Sequence, residues 1–426
     1  MAKIYDFLLK NRVLILFILF VFSFALRVSL TYREYSLHGT SYWQDALYYL
    51  NQGVSFAEGD FYPDFGPREV MRSGPVLPII VAFSKLVTGD PIWLTLVFNC
   101  LFSALLVYVL FWIGFKLVGL TAGYLMALWS VFNISIIKFN YQILKEPLIF
   151  LLLPLAILCL INIYQKRNIL LNVILSSFIF SLLIHTDERF FIYTPVFLLC
   201  VFFVSQKKLK IQHSFLWLLV LVVTMIPWTI RNYKQFGEIM ILTPRTTAFT
   251  SKIWGTDFAK VHFDSEEGIE QEITRREEYA VRAADRFGVE PRRFGKYEKY
   301  LKSFQHYWQP TFFRLTYIQY GFRPVKWSLA HNTISILFYG IFLPFYILGI
   351  LFAAIRKKWL IIFLAALPFI HSLLHAYMIW PLERYRLPMN FLVVLVALWF
   401  FLTYILKSKN VEINKKIVNG ELRVEN

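Results

Sequence analysis

Two carboxylates and a set of arginines carry the chemistry this sequence can do. Asp45 stands in Tyr42-Trp43-Gln44-Asp45-Ala46-Leu47-Tyr48-Tyr49-Leu50, where apolar and aromatic residues recur at helical spacing. That pattern predicts an aromatic helix lying flat at a membrane interface. A carboxylate placed there can take the proton of a hydroxyl arriving from water, a general-base role worth about 10² to 10⁴ in rate; a solvated surface acid is the plain alternative. Glu146 stands in Lys145-Glu146-Pro147 at the start of an apolar run. Pro is tolerated in a first helical turn and an acid is stabilised there by the helix dipole, so capping competes with catalysis at this position.

Arginines form the complement. Arg72 precedes Ser73-Gly74-Pro75, Arg189 closes a short turn, Arg231 follows Pro227-Trp228-Thr229-Ile230, Arg245 follows Thr243-Pro244, and Arg384 and Arg386 flank Tyr385. For any one of them, snorkelling to lipid phosphate is the bland alternative; as a set they suit a phosphodiester, because the guanidinium fork matches paired phosphate oxygens. Arg27 lies inside the first apolar run, where a central charge costs about 2.5 to 3.5 kcal/mol unless it pairs or snorkels. His371 and His375 are four apart on one run, but no His-Glu-x-x-His spacing supplies further ligands, so no metal-site residue is assigned. No cofactor is required by the sequence, and a divalent metal is left open. A phosphate-cradling Gly-x-x-x-x-Gly-Lys-Ser/Thr loop, a Gly-x-Gly-x-x-Gly turn and an Asp-x-Asp pair are all absent, which leaves nucleotide chemistry unsupported.

The elements that must position these residues are membrane helices. A chain of 426 residues that is 58% hydrophobic and 19% aromatic has too little polar surface to cover a soluble globule. A span needs about 20 apolar residues. Ten runs are expected, near 13–31, 91–115, 118–137, 146–164, 168–185, 190–205, 214–230, 333–354, 358–378 and 387–406, the fifth and sixth being short. Pro75 to Val87 suits an interfacial or re-entrant helix. The basic joints at Lys3, Lys10 and Arg12, at Lys166 and Arg167, at Lys207, Lys208 and Lys210, at Arg356, Lys357 and Lys358, and at Lys407 and Lys409 fall on every second crossing. Lys and Arg bias orients membrane proteins, so these joints read as cytoplasmic and the long loops as extracytoplasmic.

The expected organisation is therefore a cytoplasmic N-terminus at 1–12, a transmembrane core at 13–230 with a first outer loop at 32–90, an outer helical loop at 231–332, C-terminal spans at 333–406, and a cytoplasmic tail at 407–426. Within the second outer loop, Asp264-Ser265-Glu266-Glu267 opens a charged amphipathic helix that runs to Phe287. The net charge of +17 is explained by orientation and anionic headgroups rather than by nucleic acid. Cys100, Cys159 and Cys200 each sit in an apolar run and serve as small hydrophobes.

Several patches, in order along nearly the whole chain, are similar to the membrane glycosyltransferases of the C superfamily (GT-C), in the branch related to protein O-mannosyltransferases and the lipid A aminoarabinose transferase. They are Asp45 with Tyr48 and Tyr49; Arg72 through Pro78; Lys145-Glu146; Pro227-Trp228-Thr229-Ile230-Arg231-Asn232-Tyr233 with Phe236-Gly237; His306-Tyr307-Trp308-Gln309-Pro310; and Glu383-Arg384-Tyr385-Arg386-Leu387-Pro388. The resemblance implies the GT-C fold, with about ten transmembrane helices and extracytoplasmic loop helices. It implies inverting transfer of a sugar from a polyprenyl-phosphate donor to a hydroxyl of a glycan, lipid or protein acceptor at the extracytoplasmic face of the cell membrane. Asp45 matches the family's first-loop catalytic acid and Glu146 its second acid. Arg72, Lys145, Arg231, Arg245, Glu383, Arg384, Tyr385 and Arg386 are then the donor and substrate contacts. Ala46 follows Asp45 where the protein mannosyltransferases carry a Glu, which departs from a protein acceptor. The alternative is a transporter or flippase of lipid-linked saccharides, which would be expected to bury ionisable groups near the bilayer midplane.

Overall fold

Apolar runs of this length can satisfy their backbone in lipid only by coiling, and the computed structural model is built that way. It describes residues 2–39, 44–62, 74–205, 208–237, 239–242, 296–310, 329–377 and 383–406. Among them there is no strand. In chain order the helices are α1 (Ala2–Lys10), α2 (Arg12–His38), α3 (Gln44–Ala57), α4 (Val76–Thr88), α5 (Trp93–Leu117), α6 (Leu120–Phe132), α7 (Ile134–Ile137), α8 (Glu146–Tyr164), α9 (Ile169–Thr186), α10 (Thr194–Val204), α11 (Lys210–Phe236), α12 (Lys296–Tyr307), α13 (Leu329–Phe338), α14 (Leu343–Ile355), α15 (Trp359–Tyr377) and α16 (Glu383–Phe400). Eight candidate spans among the described residues are long and apolar enough to cross a membrane. The protein is an all-α, multi-pass membrane protein.

Two of the ten expected spans are short helices, one of them, over 190–205, already short in the sequence. Over 118–137 the helix α6 has 13 residues and stops at Asn133, whose ψ of 97° leaves the helical region. Its last carbonyls are taken up from outside: Arg27 donates to Ser130 O at 2.6 Å and to Val131 O at 3.4 Å, besides its own Ser23 carbonyl and hydroxyl. The Arg27 charge is thus dispersed over backbone dipoles rather than carried to the lipid surface. Over 190–205 a 3₁₀ turn, Glu188–Tyr193, precedes the 11 residues of α10, because Pro195 favours a helix beginning there. The expected helix over 264–287 lies outside the described residues. The helix α11 runs on past Ile230 to Phe236, and α13 begins at Leu329.

The chain divides into two units. The first comprises 1–113, 130–132 and 136–263. In it α8 and α9 form an antiparallel pair, α11 packs on α9, and α10 lies against α8 and α11. The α3–α4 hairpin packs α4 onto α9. Gly53 permits that hairpin to close, since a Cβ there would sit 2.4 Å from the Val81 Cβ. The second unit comprises 114–129, 133–135 and 264–426. Its centre is α16, buried almost continuously from Leu387 to Phe400, with α14 and α15 against it and α12 resting on α15. Trp308, just past α12, donates its indole N–H to Ser372 Oγ at 3.0 Å, and Phe304 meets Phe369 edge-on.

Candidate active site

The ends of α8 and α9 bring Lys145, Asp187 and Arg189 together. Lys145 caps the start of α8, Glu146 and Pro147 fill its first turn, and Glu146 is 2% exposed. The first N–H groups of a helix have no partner within it, so an acid belongs there electrostatically. At the matching end of α9, Asp187 takes an extended conformation, donates its own N–H to Leu183 O, and accepts from Arg189 N at the start of the 3₁₀ turn. One residue therefore ends a helix and begins the next turn.

The Asp187 carboxylate is 2% exposed and faces two cations. Arg189 Nε donates to Oδ1 at 2.8 Å and to Oδ2 at 3.1 Å, its terminal nitrogen also bonds Oδ2, and Lys145 Nζ lies 3.3 Å from Oδ1. Burial by itself pushes this carboxyl up; Arg189 and then Lys145 outweigh it and hold the group well below the usual carboxylate range. The cations keep more contact with solvent, at 18% for Lys145 and 28% for Arg189. The result is an anchored pair of N–H donors around a carboxylate held in its ionised form, with the buried acids Glu146 and Glu188 next in sequence to Lys145 and Asp187.

The chain leading into α4 docks at this end of α9. Gly74 lies so close to the end of α9 that a Cβ would fall 1.9 Å from His185 O, which fixes the exit of the Arg72–Pro78 patch onto that helix. Arg72 itself lies outside the described residues, as does Arg245. Asp45 is in the first turn of α3 and is half-buried, with Ala46 and Tyr49 buried beside it.

Arg231, near the end of α11, is 9% exposed and packs its guanidinium 4.7 Å from the Trp228 ring and 5.9 Å from that of Tyr62. It donates through Nε to Phe61 O at 3.0 Å and through Nη1 to Asn232 Oδ1 at 3.1 Å; among the described residues Nη2 has no partner. Asn232 secures the following chain by donating to Met240 O and Leu242 O, and Gly237 ends α11 with φ 72°, a conformation that glycine adopts without strain.

The second unit holds the remaining sequence candidates. Arg384 is half-buried, lies 4.9 Å over the Tyr385 ring and donates to its hydroxyl at 2.8 Å. Arg386, expected as a phosphate contact, is 1% exposed and turned inward. It donates to Gln309 O at 2.7 Å and Tyr307 O at 3.2 Å, and lies 4.0 Å over the Tyr339 ring. These bonds pin α16 to the end of α12. The side chain of Glu383 lies outside the described residues.

Asp187 and Glu188 were not candidates from sequence, where they read as part of a tight turn. The signal that could have found them is the acid pair directly before Arg189, between two apolar runs. Among the described residues no three ligating side chains gather as a metal site would require. No protein-family model matches the chain, and no curated protein matches it.

Proposed function

We propose that this protein is an integral membrane glycosyltransferase that moves a sugar from a polyprenyl-phosphate donor to an acceptor hydroxyl at the extracytoplasmic face. The observation that carries the proposal is the buried Asp187 holding Lys145 and Arg189 beside Glu146 at one end of the α8–α9 pair. The opposite end of that pair is the joint with Lys166 and Arg167. If basic joints stay in the cytosol, the acid and cation cluster faces outward, where a nucleotide-activated sugar is not at hand and a membrane-borne donor is.

In the proposed reaction Asp45 accepts the proton of the acceptor hydroxyl. The oxygen forms its bond to the anomeric carbon from the face opposite the carrier, while the bond from that carbon to the phosphate oxygen breaks and the lipid phosphate leaves with the electron pair. Inversion follows from that geometry. Lys145, Arg189 and Arg231 are assigned to the charge on the leaving phosphate, with Arg72 and Arg245 from the loops. Pre-set donors of this kind act most strongly where water is scarce. Glu146 is assigned to the acceptor side, and Arg384 with Tyr385 to a lipid-borne phosphate in the second unit.

Transport of a lipid-linked saccharide is the second reading, favoured by one observation: Arg27 is fully buried within a span and caps a helix that breaks at Asn133. The two separate in nanodiscs loaded with a polyprenyl-phosphate sugar. Asp45→Asn is expected to cut sugar transfer by about 10² to 10⁴ with donor binding retained. Undiminished transfer in that variant removes Asp45 as the base, and lipid movement without any transfer favours the transporter.

A further inference from the structure

We propose that His371 and His375 are positioning residues that preset Arg384 and Tyr385 to receive a lipid-borne phosphate. This rests on the reading above that Arg384 and Tyr385 meet such a phosphate.

The two histidines are one turn apart on α15, on the same face, with ring centroids 4.3 Å apart, and both are buried, at 3% and 2% exposure. Each addresses a different part of Tyr385. His371 Nε2 lies 2.7 Å from Tyr385 O. A carbonyl can only accept, so that nitrogen carries the proton and the imidazole is a donor to the first turn of α16. Pro388 in the same turn has no N–H to return to Arg384 O, so the helix makes one fewer bond of its own at this point. His371 supplies a lateral bond to the next carbonyl along. His375 holds the ring instead. Its imidazole lies parallel to the Tyr385 phenol, with centroids 5.0 Å apart and planes 13° from parallel.

Tyr385 in turn sets Arg384, which bonds the phenol oxygen and lies over the ring face. The sequence of contacts runs from a buried imidazole pair, through one tyrosine fixed in backbone and ring, to a half-exposed guanidinium. An arginine free to sample its rotamers must be ordered on binding, and that ordering weakens affinity; one already held loses less. A planar fork so oriented suits two phosphate oxygens. A metal role does not compete, because His371 Nε2 is occupied by the carbonyl and no third ligating group gathers nearby among the described residues.

The test uses the full chain in nanodiscs, with a C55 polyprenyl phosphate, the corresponding polyprenol and inorganic phosphate as separate probes. An aromatic pair is worth enough to change affinity by roughly three- to tenfold. His375→Ala is expected to weaken polyprenyl phosphate binding by about that factor, and His375→Phe, which keeps a ring to stack, to restore it. His371→Leu should behave as His375→Ala does, and His371→Gln, which keeps an N–H donor, should be rescued. Polyprenol binding should be the same throughout. His375→Phe matching His375→Ala, or polyprenol affected as much as its phosphate, overturns the positioning role. Arg384→Ala distinguishes the two levels. A loss there with unaffected histidine variants sinks this inference alone, while wild-type binding in Arg384→Ala sinks the phosphate reading and this inference with it. Inorganic phosphate showing the same dependence overturns the assignment to a lipid-borne group.

Discussion

Asp187 in the first unit and Arg386 in the second are both buried charges, at 2% and 1% exposure, and they are stabilised in opposite ways. Asp187 is neutralised by two full opposite charges that themselves reach solvent. Around Arg386 the described residues supply dipoles: two carbonyls, the Ser335 hydroxyl and the face of a tyrosine ring. In the first arrangement the buried ion organises groups that can still meet a substrate. In the second the ion spends its donors on the fold. The partner's type, more than the depth of burial, decides whether a buried charge serves a site or a scaffold. Arg384 and Arg386 make the point within one helix, because residues two apart point to nearly opposite sides of it: one stays half-exposed over Tyr385 and the other is sealed against the end of α12.

That contrast can be broken by substitution. Asp187→Asn leaves Lys145 and Arg189 without their counter-ion, and removal of one partner from a buried pair costs up to about 3 to 5 kcal/mol. The largest combined effect is therefore expected here: a lower midpoint of thermal unfolding together with loss of donor binding. Unchanged donor binding in a folded Asp187→Asn protein would show that the cluster is only structural. Arg386→Ala is expected to destabilise by roughly 2 to 3 kcal/mol, since charge-assisted bonds to Tyr307 O and Gln309 O are lost, while donor affinity stays within about twofold of wild type. A large affinity loss at constant stability would reverse the assignment and return Arg386 to the phosphate site.

The smallest effect is that of mild acid. His306, in the last turn of α12, is pushed below the usual histidine range by burial, against a hydrogen bond to Gln309 that raises it, with Lys302 lowering it further. The unfolded chain binds that proton near pH 6.5, so it takes up more protons than the native state and stability falls as pH drops through that value. Asp187 has the depressed carboxylate pattern, with its contribution present above about pH 4 and lost only below it. Between pH 7.5 and 5.5 the attachment of α12 should therefore loosen, read as faster proteolysis near residues 296–307, while the Asp187 cluster is unaffected. Equal protection of α12 at both pH values would argue against this.

The spans were legible because roughly 20 apolar residues leave few alternatives, and the short helices α3 and α4 because their aromatic and apolar spacing is visible in a short window. The shortness of α6 was not legible: its end depends on Asn133 leaving the helix and on Arg27 capping carbonyls from a different span. Within the site, Lys145 and Glu146 stand out through Pro147, a local signal. Asp187 does not, since what makes it special is that α8 and α9 return to the same level and set Lys145 against it. Side-chain spacing likewise placed His371 and His375 on one face but could not say that the face meets Tyr385.

Phe61 and Gly74 are each tied to a different helix of the first unit, Phe61 to α11 by the Arg231 hydrogen bond and Gly74 to α9 by its seat on the His185 carbonyl. Since α11 itself packs on α9, both moorings belong to one helix pair, and a sliding of either helix along the other would have to strain one of them.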